Sequence, residues 1–417
     1  MINQTFRYNL FLLSSLLLAL SACSGETSDL PANSNAGTES VDTADPNEGL
    51  AMDQWEYVMI DDQKARWGDY AEPEWLNYFG LALGDLNNDG KPDIVSGRSL
   101  YLQPADPSDS WKKIDLGLNV DANIIVYLGE ERGMAILGQS LPQVYQFLPS
   151  DDSYENWVAT DVARVRATGH HNGQGYRTGQ IVKGGAEEIL YASQGGIYLL
   201  EADGLDDWPV SLIGPDASDE GFDLADIDGD GDLDLAAGYR APGVDAEVPT
   251  SVVWFENPGD GSEYWNRHPL GQTKFAVDRV EMADLNGDER VDVIVAEERY
   301  PGEEPDASLY VFLQQDTGWQ RQTVVTQFSM NNLDAADFDQ DGDQDLVTAE
   351  HKGERLSLQI WENDGAANFS KLEIDHGKES HLGTQAHDVD GDGDLDLVSI
   401  GWDEPNYIHL WLNRAIE

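Results

Sequence analysis

The chain has 417 residues, of which 24 are Lys or Arg and 79 are Asp or Glu, so its formal net charge is −55. This balance excludes a nucleic-acid binder that works through its overall charge, because phosphate contacts need basic side chains. Hydrophobic residues make up 40% of the chain, and this proportion excludes a disordered acidic polymer.

The N-terminal segment is predicted to be an export signal. Arg7 precedes an apolar run from Leu10 to Ala19, which is shorter than the ~20 residues that a membrane span needs. The tetrad that ends at Cys23 resembles the lipobox of bacterial lipoproteins. This resemblance implies that residues 1–22 are removed, that Cys23 carries a diacylglycerol, and that Ser24 directs the protein to the outer membrane. The alternative is an ordinary secreted protein that is cut nearby.

Residues 23–53 are predicted to be a flexible tether. They are rich in Ser, Asn, Thr, Asp, Glu and Gly and contain almost no large apolar residue. Cys23 is the only Cys in the chain, which excludes an intramolecular disulfide and a Cys-based zinc site. The folded part is therefore predicted to span residues 54–417.

Beyond the tether, one nine-residue acidic pattern occurs five times. Positions 1, 3 and 5 carry Asp or Asn, position 6 is usually Gly, and position 9 is always Asp. Side-chain oxygens at 1, 3 and 5, a backbone carbonyl at 7 and a tight turn at 6 suit a calcium loop, and the ninth carboxylate closes the shell. We expect about five structural Ca²⁺ ions, and the predicted ligands are Asp85, Asn87, Asp89, Lys91, Asp93; Asp226, Asp228, Asp230, Asp232, Asp234; Asp284, Asn286, Asp288, Arg290, Asp292; Asp337, Asp339, Asp341, Asp343, Asp345; and Asp388, Asp390, Asp392, Asp394, Asp396.

These acidic loops differ from EF-hands, because no Glu stands at position 12 and no amphipathic helix flanks them. A short apolar or β-branched run follows each loop, so we expect each loop to join two strands. The alternative is a solvated acidic turn that binds nothing. The third loop carries Glu289 at position 6, where Gly is expected. A left-handed backbone costs a residue other than Gly about 1 kcal/mol or more, so we expect the third calcium site to be the weakest.

The spacing of the loops predicts seven repeats. The gap between the first two loops is roughly three times as long as the later gaps, so two copies have lost their ligands. Strand patterns place these copies at 124–137 and 179–192, and the second copy is predicted to have strands at 179–183 and 189–192. The last repeat lacks a fourth strand, and residues 55–60 are expected to supply it. Pairing the chain ends in this way closes a ring without free edges. An open solenoid is the alternative.

The acidic loops between short strands resemble the FG-GAP or VCBS repeats of the integrin α-chain N-terminal propeller. This resemblance implies an all-β, seven-bladed β-propeller with four-stranded antiparallel blades. It also implies that the calcium loops lie on one face, between the first two strands of a blade, and that their role is structural.

On the opposite face, the sequence predicts a candidate ligand site. We expect Arg98, Arg177, Arg240, Arg299 and Lys352 at equivalent places there, in a cationic funnel with an aromatic rim that suits a carboxylated or sulfated sugar. The loop with His170 and His171, followed by Tyr176 and Arg177, is the first choice for ligand contact. The alternative is that these bases pair with neighbouring acids.

Three functions follow as hypotheses. The first is a non-catalytic, lipid-anchored surface module that binds a glycan or a protein. The second is an enzyme acting on a uronate-containing polysaccharide, because the chain resembles propeller-type lyases in residue types. In that case His170 or His171 with Tyr176 would move protons, and Arg177 or Arg240 would neutralise the substrate carboxylate. The third is an envelope assembly scaffold with a partner protein.

A metal-dependent enzyme is a further variant of the second hypothesis. The C-terminal part resembles propeller sugar dehydratases that bind a metal through His, which implies His351, His381 and His387 as possible ligands. However, His387 directly precedes the fifth acidic loop, so we expect it to lie away from His381.

Overall fold

The computed structural model describes residues 49–64, 80–117, 122–138, 142–165, 175–193, 195–202, 207–240, 249–259, 262, 264–299, 302–404 and 406–416. Within these ranges the chain forms 28 strands and no helix, and therefore no apolar helix that could cross a membrane. Cys23, most of the predicted tether, His170 and His171 lie outside the described residues.

The strands form seven four-stranded antiparallel sheets in the described part of the chain, and we number these blades in chain order. Blades 1 to 3 contain β2 (Leu81–Gly84), β3 (Asp93–Ser96), β4 (Ser99–Leu102), β5 (Lys112–Asp115); β6 (Ala122–Tyr127), β7 (Met134–Gly138), β8 (Gln143–Pro149), β9 (Trp157–Arg164); and β10 (Tyr176–Gly179), β11 (Glu188–Ser193), β12 (Gly196–Leu200), β13 (Val210–Pro215). Blades 4 to 6 contain β14 (Ala217–Ala225), β15 (Asp234–Tyr239), β16 (Ser251–Glu256), β17 (Asn266–Gln272); β18 (Ala276–Ala283), β19 (Asp292–Glu298), β20 (Ala307–Gln314), β21 (Trp319–Gln327); and β22 (Asp334–Ala336), β23 (Asp345–Ala349), β24 (Leu358–Asn363), β25 (Phe369–Asp375). Blade 7 contains β26 (Leu382–His387), β27 (Asp396–Ile400), β28 (Ile408–Asn413) and β1 (Trp55–Asp61).

The N-terminal strand closes the ring, as predicted. β1 pairs antiparallel with β28, from Trp55 opposite Asn413 to Asp61 opposite Ile408, with an irregularity after Met59. The order in blade 7 is β1-β28-β27-β26, so both ends of the described chain share one sheet. The seven-bladed, all-β architecture is confirmed.

The hydrophobic core lies between neighbouring blades. Val95 and Leu100 of blade 1 pack with Ile136 and Phe147 of blade 2, and equivalent buried clusters join the other blades. Short strands rich in Val, Ile and Leu suit this position because each sheet is covered on both faces. Each blade is thus stabilised mainly by its neighbours.

Strand order defines two ends of the ring. The first strand of a blade contacts the first strand of the next blade in most pairs, which places β14, β18, β22 and β26 around the axis. The acidic loops join first and second strands, and we call their end of the ring the loop face. Turns between second and third strands, and connections between blades, lie at the other end, which we call the opposite face.

One predicted strand is wrong in position. The first strand of blade 3 is not 179–183 but β10, Tyr176–Gly179, and the following residues form the turn to β11. The Glu188 carboxylate accepts hydrogen bonds from the backbone amides of Ile181 (2.8 Å) and Val182 (3.1 Å). These amides therefore leave the sheet. As a result, Tyr176 and Arg177 belong to an inner strand and not to a loop of the opposite face.

Candidate functional site

Each acidic loop folds around the carboxylate at its first position. In the second loop Asp226 accepts hydrogen bonds from the backbone amides of Gly229 (2.8 Å) and Gly231 (3.0 Å). The carboxylates at positions 3 and 5 accept amides two residues further on, as Asp228 does from Asp230 and Asp230 does from Asp232. These local bonds preorganise the loop so that its side-chain oxygens point inward.

The loops need left-handed backbone at positions 4 and 6. Position 6 has a φ of 90° at Gly231, and Glu289 in the third loop adopts 64° at the same place, as the sequence predicted. Position 4 is also left-handed and is not always Gly, since Asn88 has a φ of 57° and Gln340 one of 61°. Position 4 was not predicted to be left-handed, although Asn or Gly stands there in four of the five loops and is a signal for it.

The ninth carboxylate has a structural role that the sequence did not reveal. Asp234 is buried and accepts the amide of Ile227 (3.0 Å) in its own loop and that of Asn257 (2.9 Å) after the third strand. The other four loops repeat this bridge with Asp93, Asp292, Asp345 and Asp396. Burial raises the pKa of Asp234 to about 6 and that of Asp345 to about 7, because desolvation disfavours the charged form.

Carboxylate oxygens converge in three of the loops. One oxygen from each of three side chains lies within 4.8 Å of the others in Asp226, Asp228, Asp230; in Asp337, Asp339, Asp345; and in Asp388, Asp390, Asp396. Several inward oxygens in the described loops are buried without a hydrogen-bond partner, including Asp337 Oδ1, Asp343 Oδ1 and Asp394 Oδ1. Converging and unsatisfied oxygens are the donor set of a hard divalent cation, so these residues fit Ca²⁺.

The first and third loops depart from this arrangement. Both have Asn at position 3 and a basic residue at position 7. The Arg290 guanidinium lies 2.6 Å from the Asp288 carboxylate, whereas Lys91 lies 4.0 Å from Asp89. A close internal cation offsets the charge that would attract a metal ion. The third loop thus has two features that weaken a cation site, Arg290 and the strained Glu289.

The predicted cations of the opposite face are engaged with neighbours. Arg98 pairs with Asp115 (2.6 Å), Arg299 with Asp306 (3.0 Å) and Lys352 with Asp403 (3.3 Å). Arg240 donates to the Thr250 hydroxyl at 2.9 Å. These contacts match the alternative interpretation of the sequence, in which the basic side chains pair with neighbouring acids.

Arg177 lies at the axis of the ring. Its guanidinium pairs with Asp223 of β14 at 2.7 Å and also with Glu281 of β18. It borders a cavity of about 280 Å³ lined by Tyr176, Arg177, Thr178, Glu281, Leu333, Asp334, Thr384 and Gln385. Burial raises the pKa of Glu281 well above its usual range and also raises that of Asp334. The cavity is lined by two carboxyl groups and one guanidinium that is already paired, so it offers no unpaired positive charge to an anionic ligand.

The structure separates the three predicted metal-binding histidines as expected. His351 and His381 meet on the opposite face, with ring centroids 3.9 Å apart, whereas His387 ends β26 at the loop face. Both of the paired histidines are buried. Burial lowers the pKa of His351 to about 4 and lowers that of His381 well below its usual range, so both rings are neutral.

Comparison with known proteins agrees with this architecture. Residues 284–348 and 337–399 match the sequence family described as FG-GAP-like repeat, and the match includes the third, fourth and fifth acidic loops. The protein contains FG-GAP-like repeats. No curated protein sequence is significantly similar to the chain.

Several solved structures resemble this one at low sequence identity. BBS1N, crystallised with ARL6DN, is 11% identical over 86% of this chain and 97% of that chain, with a TM-score of 0.51. A lectin from Agrocybe aegerita that recognises non-reducing terminal N-acetylglucosamine is 16% identical over 77% and 88%, with a TM-score of 0.47. Virginiamycin B lyase from Staphylococcus aureus is 10% identical over 86% and 99%, with a TM-score of 0.45. Similarity at this level shows only the fold.

We predict that Glu289→Gly stabilises the protein. Its φ of 64° is unfavourable for a side chain with a Cβ but not for Gly, so we expect a gain of about 1 kcal/mol in the free energy of unfolding. Denaturant unfolding of the two proteins measures this gain in the free energy of unfolding. The matched control is Gly231→Ala at a φ of 90°, which should cost a similar amount. A loss of stability in Glu289→Gly would show that the Glu289 side chain makes a favourable interaction that outweighs the backbone strain.

Proposed function

We propose that this protein is a calcium-stabilised, lipid-anchored propeller of the cell envelope that binds a glycan on its opposite face. The single observation behind the ligand class is a set of half-buried aromatic side chains on that face, whose neighbouring cations, apart from those beside Tyr239, are paired with acids. Calcium has a structural role in this proposal, and the ligand site lies at the other end of the blades.

The calcium part of the proposal is supported by the donor set. The loops with converging oxygens belong to blades 4, 6 and 7, and in each the ninth carboxylate ties the loop to the third strand. An ion held there would offset the repulsion between neighbouring carboxylates and stiffen both strands. Blades 2 and 3 lack the ligands and depend on apolar packing between Ile124, Val126, Ile189 and Tyr191.

The aromatic side chains supply the glycan surface. Five half-buried aromatic residues end a second strand, follow one or connect two blades: Tyr239, Phe275, Phe328, Trp402 and Tyr407. The apolar face of a sugar ring packs on such rings, while its hydroxyl groups hydrogen-bond to polar neighbours. An aromatic side chain that is already partly fixed loses little entropy on binding.

Charge pairing favours a ligand without strong negative charge. Lys274 and Arg299 lie over the Phe275 ring, at 4.4 Å and 5.6 Å, and both pair with Asp306. An anionic sugar would have to displace these carboxylates or meet their charge. We therefore infer that a neutral glycan is the ligand, and a carboxylated or sulfated polysaccharide becomes the alternative outcome of the binding test.

We predict that removing Ca²⁺ lowers the midpoint of thermal unfolding and that adding it back restores the midpoint. A site filled at 100 times its Kd stabilises the folded state by about 2.7 kcal/mol, so several sites produce a large shift. Differential scanning calorimetry with and without excess chelator measures the shift in the midpoint. Asp228→Asn should weaken the response, whereas Asp152→Asn, an exposed residue outside the loops, should not. An unchanged midpoint in chelator would refute the calcium sites.

We predict that Ca²⁺-loaded protein binds neutral polysaccharides and that Trp402→Ala or Phe275→Ala weakens this binding at least about tenfold, which corresponds to about 1.4 kcal/mol. Tyr264→Ala is the control, because Tyr264 is 87% exposed and lies at the loop face. Calorimetric titration with a panel of neutral and anionic polysaccharides measures affinity, and absorbance of unsaturated uronate detects lyase activity. Equal loss in all three variants, or binding to no polysaccharide, would contradict the glycan site.

We predict that Cys23 carries lipid. Cells that express the full chain with labelled palmitate should incorporate label into the protein, and Cys23→Ala should abolish it because the chain contains no other Cys. Membrane fractionation provides a second measurement, in which the variant should shift to the soluble fraction. Label that persists in Cys23→Ala would place the modification elsewhere.

A further inference from the structure

His351 and His381 place two ring nitrogens in a buried position without partners. His351 follows β23, His381 precedes β26, and their side chains are only 7% and 2% exposed. The Nδ1 atom of each ring is buried and has no hydrogen-bond partner among the described residues. Leaving a buried polar atom unsatisfied costs about 1–3 kcal/mol, and here two such atoms are adjacent.

Glu379 adds a carboxylate to this pair. Its Oε1 lies 3.5 Å from His381 Nδ1, and one ligand atom from each of the three residues lies within 4.8 Å of the others. The carboxylate is held in place by backbone amides, with Oε1 accepting those of Trp402 (3.1 Å) and Asp403 (2.7 Å) and Oε2 that of Glu404. Fixed orientation by such outer contacts is characteristic of metal-binding carboxylates.

The charges around the cluster are balanced. Arg279 and Lys352 are the nearby cations, and each has a carboxylate partner, Asp278 at 3.1 Å and Asp403 at 3.3 Å. Glu379 therefore contributes a negative charge that is not cancelled by a direct ion pair with a Lys or Arg among the described residues. Two neutral imidazoles and one carboxylate form a donor set that zinc binds in proteins.

We propose that His351, His381 and Glu379 bind a divalent transition-metal ion, with Zn²⁺ as the natural choice. Imidazole nitrogen favours zinc over calcium, whereas the acidic loops offer only oxygen, so the two faces of the ring select different metals. Three protein donors are one fewer than the usual four around zinc, so water or a ligand atom completes the coordination. The site stands independently of the glycan proposal.

The test uses the folded chain in excess Ca²⁺, so that the acidic loops are filled before a second metal is added. Co²⁺ is titrated as a spectroscopic probe and then displaced with Zn²⁺. We expect one equivalent of Co²⁺ with visible d–d absorption, which Zn²⁺ removes stoichiometrically. The measurement on the unmodified protein does not depend on whether any variant folds. Absence of Co²⁺ and Zn²⁺ binding at micromolar concentrations would overturn the proposal.

Variants locate the ion. His351→Gln and His381→Gln should each weaken Zn²⁺ binding at least about tenfold, since even outer-shell changes at metal sites cost 10–100-fold. The matched control is His387→Gln, which changes an exposed histidine at the other end of β26 and should bind as the unmodified protein does. Circular dichroism confirms folding of each variant. Unchanged binding in folded His351→Gln and His381→Gln, or loss in His387→Gln, would place the metal elsewhere and overturn the assignment.

Discussion

The buried carboxylate at the ninth position of each acidic loop is the interaction on which the loop face of those five blades depends. It accepts one amide from its own loop and one from the end of the third strand, so it joins three strands of a blade at the loop face. Hydrogen bonds to a carboxylate are stronger than those between neutral groups, and burial strengthens them further. Blade 3 lacks the acidic loop, yet Glu188 accepts two loop amides there. Anchoring of the loop amides by a carboxylate therefore does not require the full set of acidic residues.

Charged side chains are arranged differently on the two faces of the ring. At the loop face, carboxylates crowd together and leave oxygens unsatisfied, which is unfavourable without a compensating cation. At the opposite face, and along the axis, each of the predicted cations except Arg240 meets a carboxylate, and Arg177 meets two. A net charge of −55 is thus not spread evenly, because its most concentrated part lies where a metal ion can offset it.

The sequence predicted most of the fold and only part of the candidate site. Repeats and strand patterns revealed the blades because the second strand of a blade is buried on both faces and forms an apolar run, such as 293–296. The start of β10 was misplaced because Ile181 and Val182 look like strand residues, but Glu188 holds their amides outside the sheet. The ion pairs of Arg177 at the axis could not be predicted from the sequence, because Asp223 and Glu281 come from other blades. His351, Glu379 and His381 meet for the same reason, since only the packing of blades 6 and 7 brings them together.

Closure of the ring by β1 and β28 also has a consequence for how the protein folds. Trp55 lies opposite Asn413, so this pairing spans nearly the whole folded chain. Contacts of such long sequence separation form slowly, because the entropy of closing the intervening loop must be overcome first. During synthesis the first strand has no partner until the last one has emerged, and β28 then completes blade 7. Folding of this ring is therefore coupled to completion of the chain, and a partly made molecule keeps the edge of its first strand unpaired.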